Sequence, residues 1–220
     1  SKLFVPLLLV LGLGGLFYAS WIALAQKHIT RLVAYSSIGH MGLIVVGVAA
    51  WNVMSLSGAI LQMVNHGLAT SALFILVGML DERVHSREMA NFGGLWKKMP
   101  AFSAFFLLFA MSSLGLPGLN NFVGEILILI GTFRENPLAA GIGFAGLVFT
   151  VIYILWMVQR TLFGEMRNEQ IKALILNDIT VREVMILAPL AAAVFLIGFF
   201  PAPVLNLFQE PVKGLIAILK

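Results

Sequence analysis

The chain has 220 residues, of which 60% are hydrophobic and 11% are charged, and its formal net charge is +4. A soluble domain carries about 25% charged residues, so this composition indicates an integral membrane protein. Its Lys and Arg residues lie between apolar runs rather than along one face, which argues against a nucleic-acid partner. Because there is no cysteine, disulfides, thiolate metal sites and cysteine-ligated iron–sulfur clusters are excluded.

The first part of the chain consists of long apolar runs. Leu3 to Ala25 is uncharged and can span a bilayer, since about 20 helical residues cover about 30 Å. The uncharged run at 32–80 is too long for one helix, and we expect it to break at Trp51-Asn52, where an interfacial aromatic residue precedes a turn former. The predicted elements are therefore spans at 3–25, 32–51 and 54–80, followed by a polar loop at 81–100.

The second part of the chain contains a broken helix. Pro117-Gly118 divides an apolar run into two pieces, each shorter than the about 20 residues that a spanning helix needs. Pro189 in the last apolar run is expected to kink that helix or to mark a late helix start. The predicted segments are 101–116, 119–133, 138–159 and 183–200, with a turn at 135–137, a hydrophilic loop at 160–183 and an interfacial tail at 204–220.

These elements predict an all-α, polytopic transmembrane helical bundle with about seven membrane segments, one discontinuous helix and a C-terminal amphipathic helix. The apolar runs are continuous rather than alternating, which excludes a transmembrane β-barrel. If seven segments alternate strictly, the positive-inside rule places the more basic side in the cytoplasm. That assumption assigns positions 27, 31, 83, 87, 97, 98, 134, 213 and 220 to one side and 160, 167, 172 and 182 to the other.

Glu125 is the only charged residue between Met99 and Phe133. An ionised carboxylate near the bilayer midplane costs about 2.5–3.5 kcal/mol, so an intramembrane acid is by default a functional-site hypothesis. The neighbouring helix break supports it, because irregular backbone at that depth faces protein or a water-filled cavity. The alternative is a structural, protonated acid that is hydrogen-bonded to unwound backbone at 118–121. A buried carboxyl group that can hold a proton also suits a proton relay.

Two histidines lie within apolar spans. His66 follows Gln62 by four residues, so the two side chains leave the helix on one face. His40 lies in the preceding span. A single buried histidine is often only a hydrogen-bonded core residue, whereas two of them with an acid fit a chain of titratable groups. We therefore predict proton-relay roles for Glu125, His66 and His40, and we expect His28 and His85 to lie in solvated loops.

No other chemistry is indicated by the sequence. Within the spans, no two His, Asp or Glu residues have the spacing of metal ligands. No Gly-rich phosphate loop follows a strand, and no Ser–His–Asp arrangement is evident. The sequence therefore predicts no metal site and no bound nucleotide, flavin or haem.

Four stretches resemble the antiporter-like M subunits of proton-pumping NADH–quinone oxidoreductase, respiratory complex I. They occur in the order found in that family and cover most of residues 18–133, whereas the later part of the chain resembles it more loosely. The stretches are AQKHITRLVAYSSIGHMG at 25–42, QMVNHG at 62–67, NFGGLW at 91–96, and LGLPG followed by NFVGE within 114–125.

The resemblance implies that the chain is the C-terminal part of a subunit about twice as long, with two inverted five-helix repeats. Residues 1–220 would form one membrane domain, in which 32–162 approximates the second repeat and 204–220 the tail. Glu125 would be the essential acid of the discontinuous helix, and His66 would match a histidine of the family. Other subunits would perform the redox chemistry, so this chain would bind no cofactor. Its partners would be the other membrane subunits of complex I and the lipid bilayer of a bacterial inner membrane or an equivalent energy-coupling membrane.

Three departures from the family pattern stand out. The family usually has an acid and a lysine where this chain has His28 and Thr30, and its central lysine and glutamate would lie upstream, so these residues alone are not expected to pump. The family also places the amphipathic helix on the outer face, against the charge count above. Two alternatives stay open: the related subunit of a multisubunit cation/proton antiporter or membrane-bound hydrogenase, and a structural membrane scaffold.

Overall fold

The structure, a computed structural model, describes residues 4–219, with side chains through 217. The predicted helix start at Leu3 and the tail residue Lys220 lie outside the described residues. The described part is helical apart from loops, short turns and one isolated bridge between His28 and Glu88, so the predicted all-α fold is confirmed. Its helices are α1 (Val5–Ala25), α2 (Ile29–Ala49), α3 (Val53–Val84), α4 (Leu95–Lys98), α5 (Pro100–Ser113), α6 (Asn120–Glu135), α7 (Pro137–Leu162), α8 (Glu169–Ala173), α9 (Val181–Phe199) and α10 (Ala202–Leu219).

Five helices, α1, α2, α3, α7 and α9, are long and apolar enough to cross a membrane. Many large apolar side chains on these helices are exposed, as expected of surfaces that contact lipid; Trp21 and Phe144 are examples. In the interior, aromatic residues of α5 such as Phe102 and Phe106 are fully buried with Tyr153 of α7. The chain is thus an integral membrane protein, while the division at 32–162 stays a prediction.

The predicted break at Trp51-Asn52 is confirmed. Trp51 has a positive φ of 55°, which ends α2 abruptly. Asn52 then caps α3, because its side-chain oxygen accepts a hydrogen bond from the backbone N–H of Ser55 at 2.9 Å. Asn136 caps α7 in the same way, ahead of Pro137 at the first helical position.

Pro189 lies inside α9 and does not mark its start. The helix begins eight residues earlier, where Thr180 and Glu183 form a capping box that satisfies two helix-terminal donors. The predicted alternative of a late start is therefore wrong.

The discontinuous helix is formed by α5 and α6. α5 ends in a Schellman motif, in which Leu116 N–H donates to Met111 C=O at 3.1 Å and Gly115 N–H donates to Ser112 C=O at 3.1 Å. Gly115 is the residue just after the helix cap, and its φ of +77° is the left-handed conformation that this motif requires at that position. With 14 and 16 residues, the two helices are about 21 and 24 Å long, so neither spans a bilayer alone.

Contacts between loops show that α5 and α6 together cross the bundle once. The start of α5 lies on the face, here called the basic face, where loops 26–28, 85–99 and 163–180 meet: Met89 N–H donates to Lys27 C=O, and Gly94 N–H donates to Phe163 C=O. The end of α6 lies on the opposite face, because Asn52 Nδ2 at the start of α3 donates to Gly131 C=O at 2.8 Å.

The strict alternation of seven segments assumed above is therefore wrong, since two of those segments make one crossing. The corrected count places most of the described Lys and Arg residues on the basic face. That face carries Lys27, Arg31, Arg83, Arg87, Lys97, Lys98, Arg160, Arg167, Lys172 and Arg182, and the opposite face carries Arg134 and Lys213.

The tail forms α10, which packs on the face opposite the basic face. Val212 and Ile216 of α10 are buried against Leu56 in the first turn of α3. One side of α10 is thus apolar and covered, and its other side carries exposed charges such as the Lys213–Glu210 pair. This pattern is that of an amphipathic helix, and its position along the membrane interface stays a prediction.

Candidate functional site

Glu125 lies in the second turn of α6, directly after the helix break, and is 5% exposed. Its Oε1 atom accepts a hydrogen bond from Gln62 Nε2 of α3 at 3.4 Å. The same oxygen lies 3.5 Å from His40 Nδ1 of α2. The Oε1 atom therefore faces α2 and α3, and its polar contacts are side chains of those helices. They are not with the backbone at 118–121 that the structural alternative invoked.

His40 and His66 are in contact. Their ring centroids lie 4.7 Å apart at an interplanar angle of 37°, and the two residues are 1% and 5% exposed. Thr70, one turn beyond His66, places its hydroxyl oxygen 3.2 Å from His66 Nδ1. The three residues predicted from the sequence are thus brought together in the order Glu125, His40, His66.

The loop histidines take no part in this cluster. His28 immediately precedes α2 and His85 follows α3, and both side chains are exposed on the basic face. Their predicted positions in solvated loops are confirmed.

This row of groups can exchange protons without creating an isolated buried charge. A buried charge is costly unless it is paired. If a proton moves from the Glu125 carboxyl to His40, the product is an adjacent carboxylate and imidazolium, which attract each other strongly where water is excluded. The 3.5 Å separation is at the long limit of a hydrogen bond, so a small side-chain movement is needed to make a good one.

Several polar atoms around the row have no hydrogen-bond partner among the described residues. Both ring nitrogens of His40, Gln62 Oε1 and both amide atoms of Asn121 are in this group, and all are buried. More than about 90% of buried polar groups in proteins are hydrogen-bonded. The cluster therefore has spare hydrogen-bonding capacity concentrated beside Glu125, as a path for protons requires.

Two glycines shape the pocket around the carboxyl group. A Cβ atom on Gly115, in the break, would collide with Glu125 Oε2. A Cβ atom on Gly124 would lie 2.9 Å from Gln62 Cβ, so the absence of a side chain lets α6 approach α3 closely enough for the Gln62–Glu125 contact.

A second set of buried polar residues fixes the break against α3 and was not singled out from the sequence. Asn65 Nδ2 donates to Asn120 C=O at 2.7 Å, and Asn120 Nδ2 donates back to Asn65 C=O at 3.2 Å. Ser112 of α5 donates to Asn120 Oδ1 at 2.6 Å. Amides within an apolar run were the available signal, but their pairing across 55 residues was not visible.

Residues 4–219 hold no group of three or more His, Cys, Asp or Glu side chains arranged to bind a metal ion. A further buried hydroxyl, Tyr153 of α7, donates to Thr150 Oγ1 at 3.3 Å. The polar groups described around Glu125 are therefore Gln62, His40, His66 and Thr70, which hydrogen-bond or lie in contact along one row.

Comparison with known proteins gives consistent matches. The chain is 42% identical to NADH-quinone oxidoreductase subunit M of Pseudomonas aeruginosa over 214 residues, which cover 97% of this chain and 41% of that protein. The chain thus spans about two fifths of the length of the curated relatives it matches.

Solved structures of membrane complexes contain the same fold. A chain of respiratory complex I from Thermus thermophilus superimposes with a TM-score of 0.90 at 28% identity, covering 99% of this chain and 45% of that chain. A chain of the Mrp complex from Dietzia superimposes with a TM-score of 0.84 over 98% of this chain and 48% of that chain, and at 18% identity this likeness concerns the fold alone.

The remaining comparison is with a family defined by sequence. The family described as "NADH:quinone oxidoreductase/Mrp antiporter, TM" matches residues 2–152, which include the break, Glu125 and both buried histidines. The chain belongs to this family of membrane proteins.

Proposed function

We propose that the chain is a proton-translocating part of subunit M of an NADH–quinone oxidoreductase, which carries protons along buried titratable residues while other subunits perform the redox chemistry. The observation that supports this most directly is the contiguous row Glu125–His40–His66, buried beside a broken helix. The other membrane subunits of complex I and the lipid bilayer are its proposed partners.

In this proposal Glu125 is the group that exchanges protons at the helix break. His40, 3.5 Å away, relays the proton between Glu125 and His66, and the Thr70 hydroxyl holds the His66 ring. Gln62 is a positioning residue, because its amide donates to the carboxyl oxygen that faces His40. No redox cofactor is assigned to this chain.

The corrected crossing count supports one orientation. Ten of the described Lys and Arg residues lie on the basic face and two on the opposite face. The positive-inside rule then places the basic face in the cytoplasm and α10 on the outer side. This orientation removes the conflict with the outer position of the tail that the family resemblance implies.

The alternative function is that of the homologous subunit in a multisubunit cation/proton antiporter. The likeness to a chain of the Mrp complex favours it at the level of the fold. The higher identity to subunit M, 42% against 18%, favours the oxidoreductase. Identifying the soluble subunits that co-purify with the chain separates the two.

The test of the proposed function is Glu125→Gln in the assembled complex. The amide keeps the size of the side chain and the capacity for hydrogen bonding but cannot release a proton, so we expect proton pumping to be abolished while the complex still forms. Glu82→Gln is the matched control, because Glu82 is an exposed acid at the end of α3 and should pump as the wild type does.

Retained pumping by an assembled Glu125→Gln complex would contradict the proposal and favour the scaffold alternative. Infrared difference spectra of the carboxyl group give a second measurement. A relay predicts that the carbonyl band of Glu125 changes during turnover, whereas a scaffold predicts that it stays constant.

A further inference from the structure

A separate cavity of about 430 Å³ opens on the face opposite the basic face, away from the Glu125 row. It lies between the start of α3, the end of α6 and α10. We call it the α10 cavity and define it by Met54, Ser57, Leu127, Arg134, Glu135 and Leu205 among its lining residues.

The wall of the α10 cavity carries one positive and one negative group. Arg134 and Glu135 are consecutive residues of α6, both line the cavity, and neither forms a salt bridge within the described part of the chain. Because these two charged side chains are solvated and form no salt bridge with each other, each of them can bind a separate charged group of a ligand. The cavity thus offers a site for an anionic group and a site for a cationic group.

The start of α3 adds hydrogen-bond donors to the anionic site. Asn52 satisfies the N–H groups of Ser55 and Leu56. The N–H groups of Val53 and Met54, which precede them and also line the cavity, have no partner among the described residues. Free donors at a helix start, together with the positive end of the helix dipole, favour a phosphate.

Ser57 adds an unpartnered buried hydroxyl group to the lining of the cavity. The residue is 6% exposed, it lines the cavity, and its hydroxyl has no hydrogen-bond partner in residues 4–217. A serine in a helix commonly satisfies its hydroxyl by donating to a backbone carbonyl one turn earlier, as Ser20 does at 2.7 Å. An unsatisfied buried hydroxyl is destabilising, so a polar ligand atom at this position would stabilise the structure.

Apart from Asn52 and Gln209, the rest of the lining is apolar and lies where acyl chains begin. Met54, Leu127 and Leu205 line the cavity beside its charged wall. The first turn of α3 and the last turn of α6 mark the end of the membrane crossing, so headgroups of the bilayer lie at this level. A charged end and an apolar end within one cavity match the shape of a phospholipid.

We propose that the α10 cavity binds a phospholipid whose headgroup carries both a phosphate and a primary ammonium group, such as phosphatidylethanolamine. The phosphate accepts hydrogen bonds from Arg134 and from the start of α3, and Ser57 donates to a phosphate or ester oxygen. The ammonium group donates to Glu135, and one acyl chain runs along Leu127 and Leu205. This lipid would hold α10 in place, and the site is independent of the proposed proton relay.

The charge pattern separates this ligand from related lipids. A headgroup with only negative charge would leave Glu135 opposed to an anion. A choline headgroup has the positive charge but no N–H donor, so it cannot hydrogen-bond to the Glu135 carboxylate. Binding should therefore rank phosphatidylethanolamine above phosphatidylcholine and phosphatidylglycerol.

The experiment is photo-cross-linking of the whole purified complex with phosphatidylethanolamine that carries a photoreactive acyl chain. We expect adducts on peptides that contain Met54, Leu127 or Leu205, and we expect excess unlabelled phosphatidylethanolamine to remove them. No adduct on these peptides would overturn the proposal, as would equal competition by phosphatidylcholine. Equal competition by free phosphoethanolamine would overturn the lipid as the ligand.

Substitutions of Arg134 and Glu135 test which residue binds the phosphate and which binds the ammonium group. Arg134→Gln should lower adduct formation about tenfold or more, because charge-assisted hydrogen bonds to phosphate are lost. Glu135→Gln should make phosphatidylethanolamine and phosphatidylcholine equal competitors.

Lys213→Gln is the matched control, since Lys213 lies on the same face but pairs with Glu210 at 2.7 Å outside the cavity lining. Unchanged labelling in Arg134→Gln would overturn the assignment, and competition in the wild-type complex tests the site if that variant fails to assemble.

Discussion

Gln62 Nε2 donates a hydrogen bond to Glu125 Oε1 across 3.4 Å, and this contact joins residues 63 positions apart in the chain. It couples the third turn of α3, the longest described helix, to the second turn of α6, next to the helix break. The carboxyl oxygen that accepts this bond is also the one that faces His40. Gln62 therefore holds the carboxyl group in the orientation in which it faces His40.

The first prediction concerns the removal of this donor. Gln62→Leu keeps the volume of the side chain but leaves the carboxyl oxygen without its amide partner. A hydrogen bond to a charged group contributes about 1.5–3 kcal/mol, so without it the carboxyl group should be held less firmly towards His40. We expect the rate of pumping by the assembled complex to fall severalfold without being abolished.

Thr161→Val is the control for Gln62→Leu. Thr161 is also fully buried, and its hydroxyl donates to Met157 C=O at 2.7 Å, but it lies at the end of α7 away from the row. This variant should pump at the wild-type rate. Equal losses in both variants would mean that any buried polar substitution impairs pumping, and Gln62 would then have no specific role.

The second prediction concerns the reciprocal contact between Asn65 and Asn120. Each single replacement by Ala removes one of the two hydrogen bonds between these residues and leaves a buried backbone carbonyl without that partner, at a cost of about 1–3 kcal/mol. Asn120→Ala also orphans the Ser112 hydroxyl and should be the more destabilising. The midpoint of thermal unfolding of the purified complex measures both effects.

Because the two hydrogen bonds lie side by side between the same two residues, losing one should weaken the other. The double replacement should then destabilise less than the sum of the single ones, with an interaction energy of about 0.5–3 kcal/mol. Asn206→Ala is the control, since Asn206 is exposed on α10. Strictly additive losses would show that the two hydrogen bonds form independently.

Local sequence signals were sufficient where the determinants lie close together in the chain. The break at Trp51-Asn52 was predictable because a turn former follows an interfacial aromatic residue, and Asn52 caps the next helix with a residue three positions away. Glu125 and the two histidines stood out because each is a titratable group in an apolar run. We expected these three side chains to lie close together only because three titratable groups occur within the apolar spans of one small bundle.

Long-range arrangements could not be predicted in this way. The sequence placed His66 and Gln62 on one helix face, but it carried no signal that Asn65 and Asn120 exchange hydrogen bonds across 55 residues. The crossing count failed for a related reason. Each of the two apolar pieces is too short to span a bilayer alone, but their lengths do not show on which face each piece ends. The loop contacts on each face show this.

The third prediction tests that crossing count. Residues 1–220 contain no cysteine, so single cysteines can be placed at the exposed positions Lys27, Gln170 and Asn206 and labelled with a membrane-impermeant maleimide. A single crossing by α5 and α6 puts Lys27→Cys and Gln170→Cys on one side and Asn206→Cys on the other. The positive-inside rule adds that the first two face the cytoplasm. Labelling of Lys27→Cys and Asn206→Cys from the same side would restore the alternation of seven segments.

The fourth prediction uses two glycines to separate backbone strain from contact with the acid. Gly115 and Gly164 have similar positive φ angles of 77° and 84°, so replacement by Ala costs about 1–2 kcal/mol at either position. Only at Gly115 does the added Cβ atom collide with a carboxyl oxygen of Glu125, whereas a Cβ atom at Gly164 meets nothing within 4 Å. Both variants should therefore lower the midpoint of thermal unfolding, and Gly115→Ala should lower it at least as much as Gly164→Ala.

Pumping should separate them. In Gly115→Ala the displaced carboxyl group loses its alignment with Gln62 and His40, so we expect a severalfold or larger loss of pumping by complexes that are still assembled. Gly164→Ala should pump at the wild-type rate despite its lower stability. If both variants pump equally, the carboxyl group can move freely within the pocket, and its position at the helix break is then not what determines the rate of proton transfer.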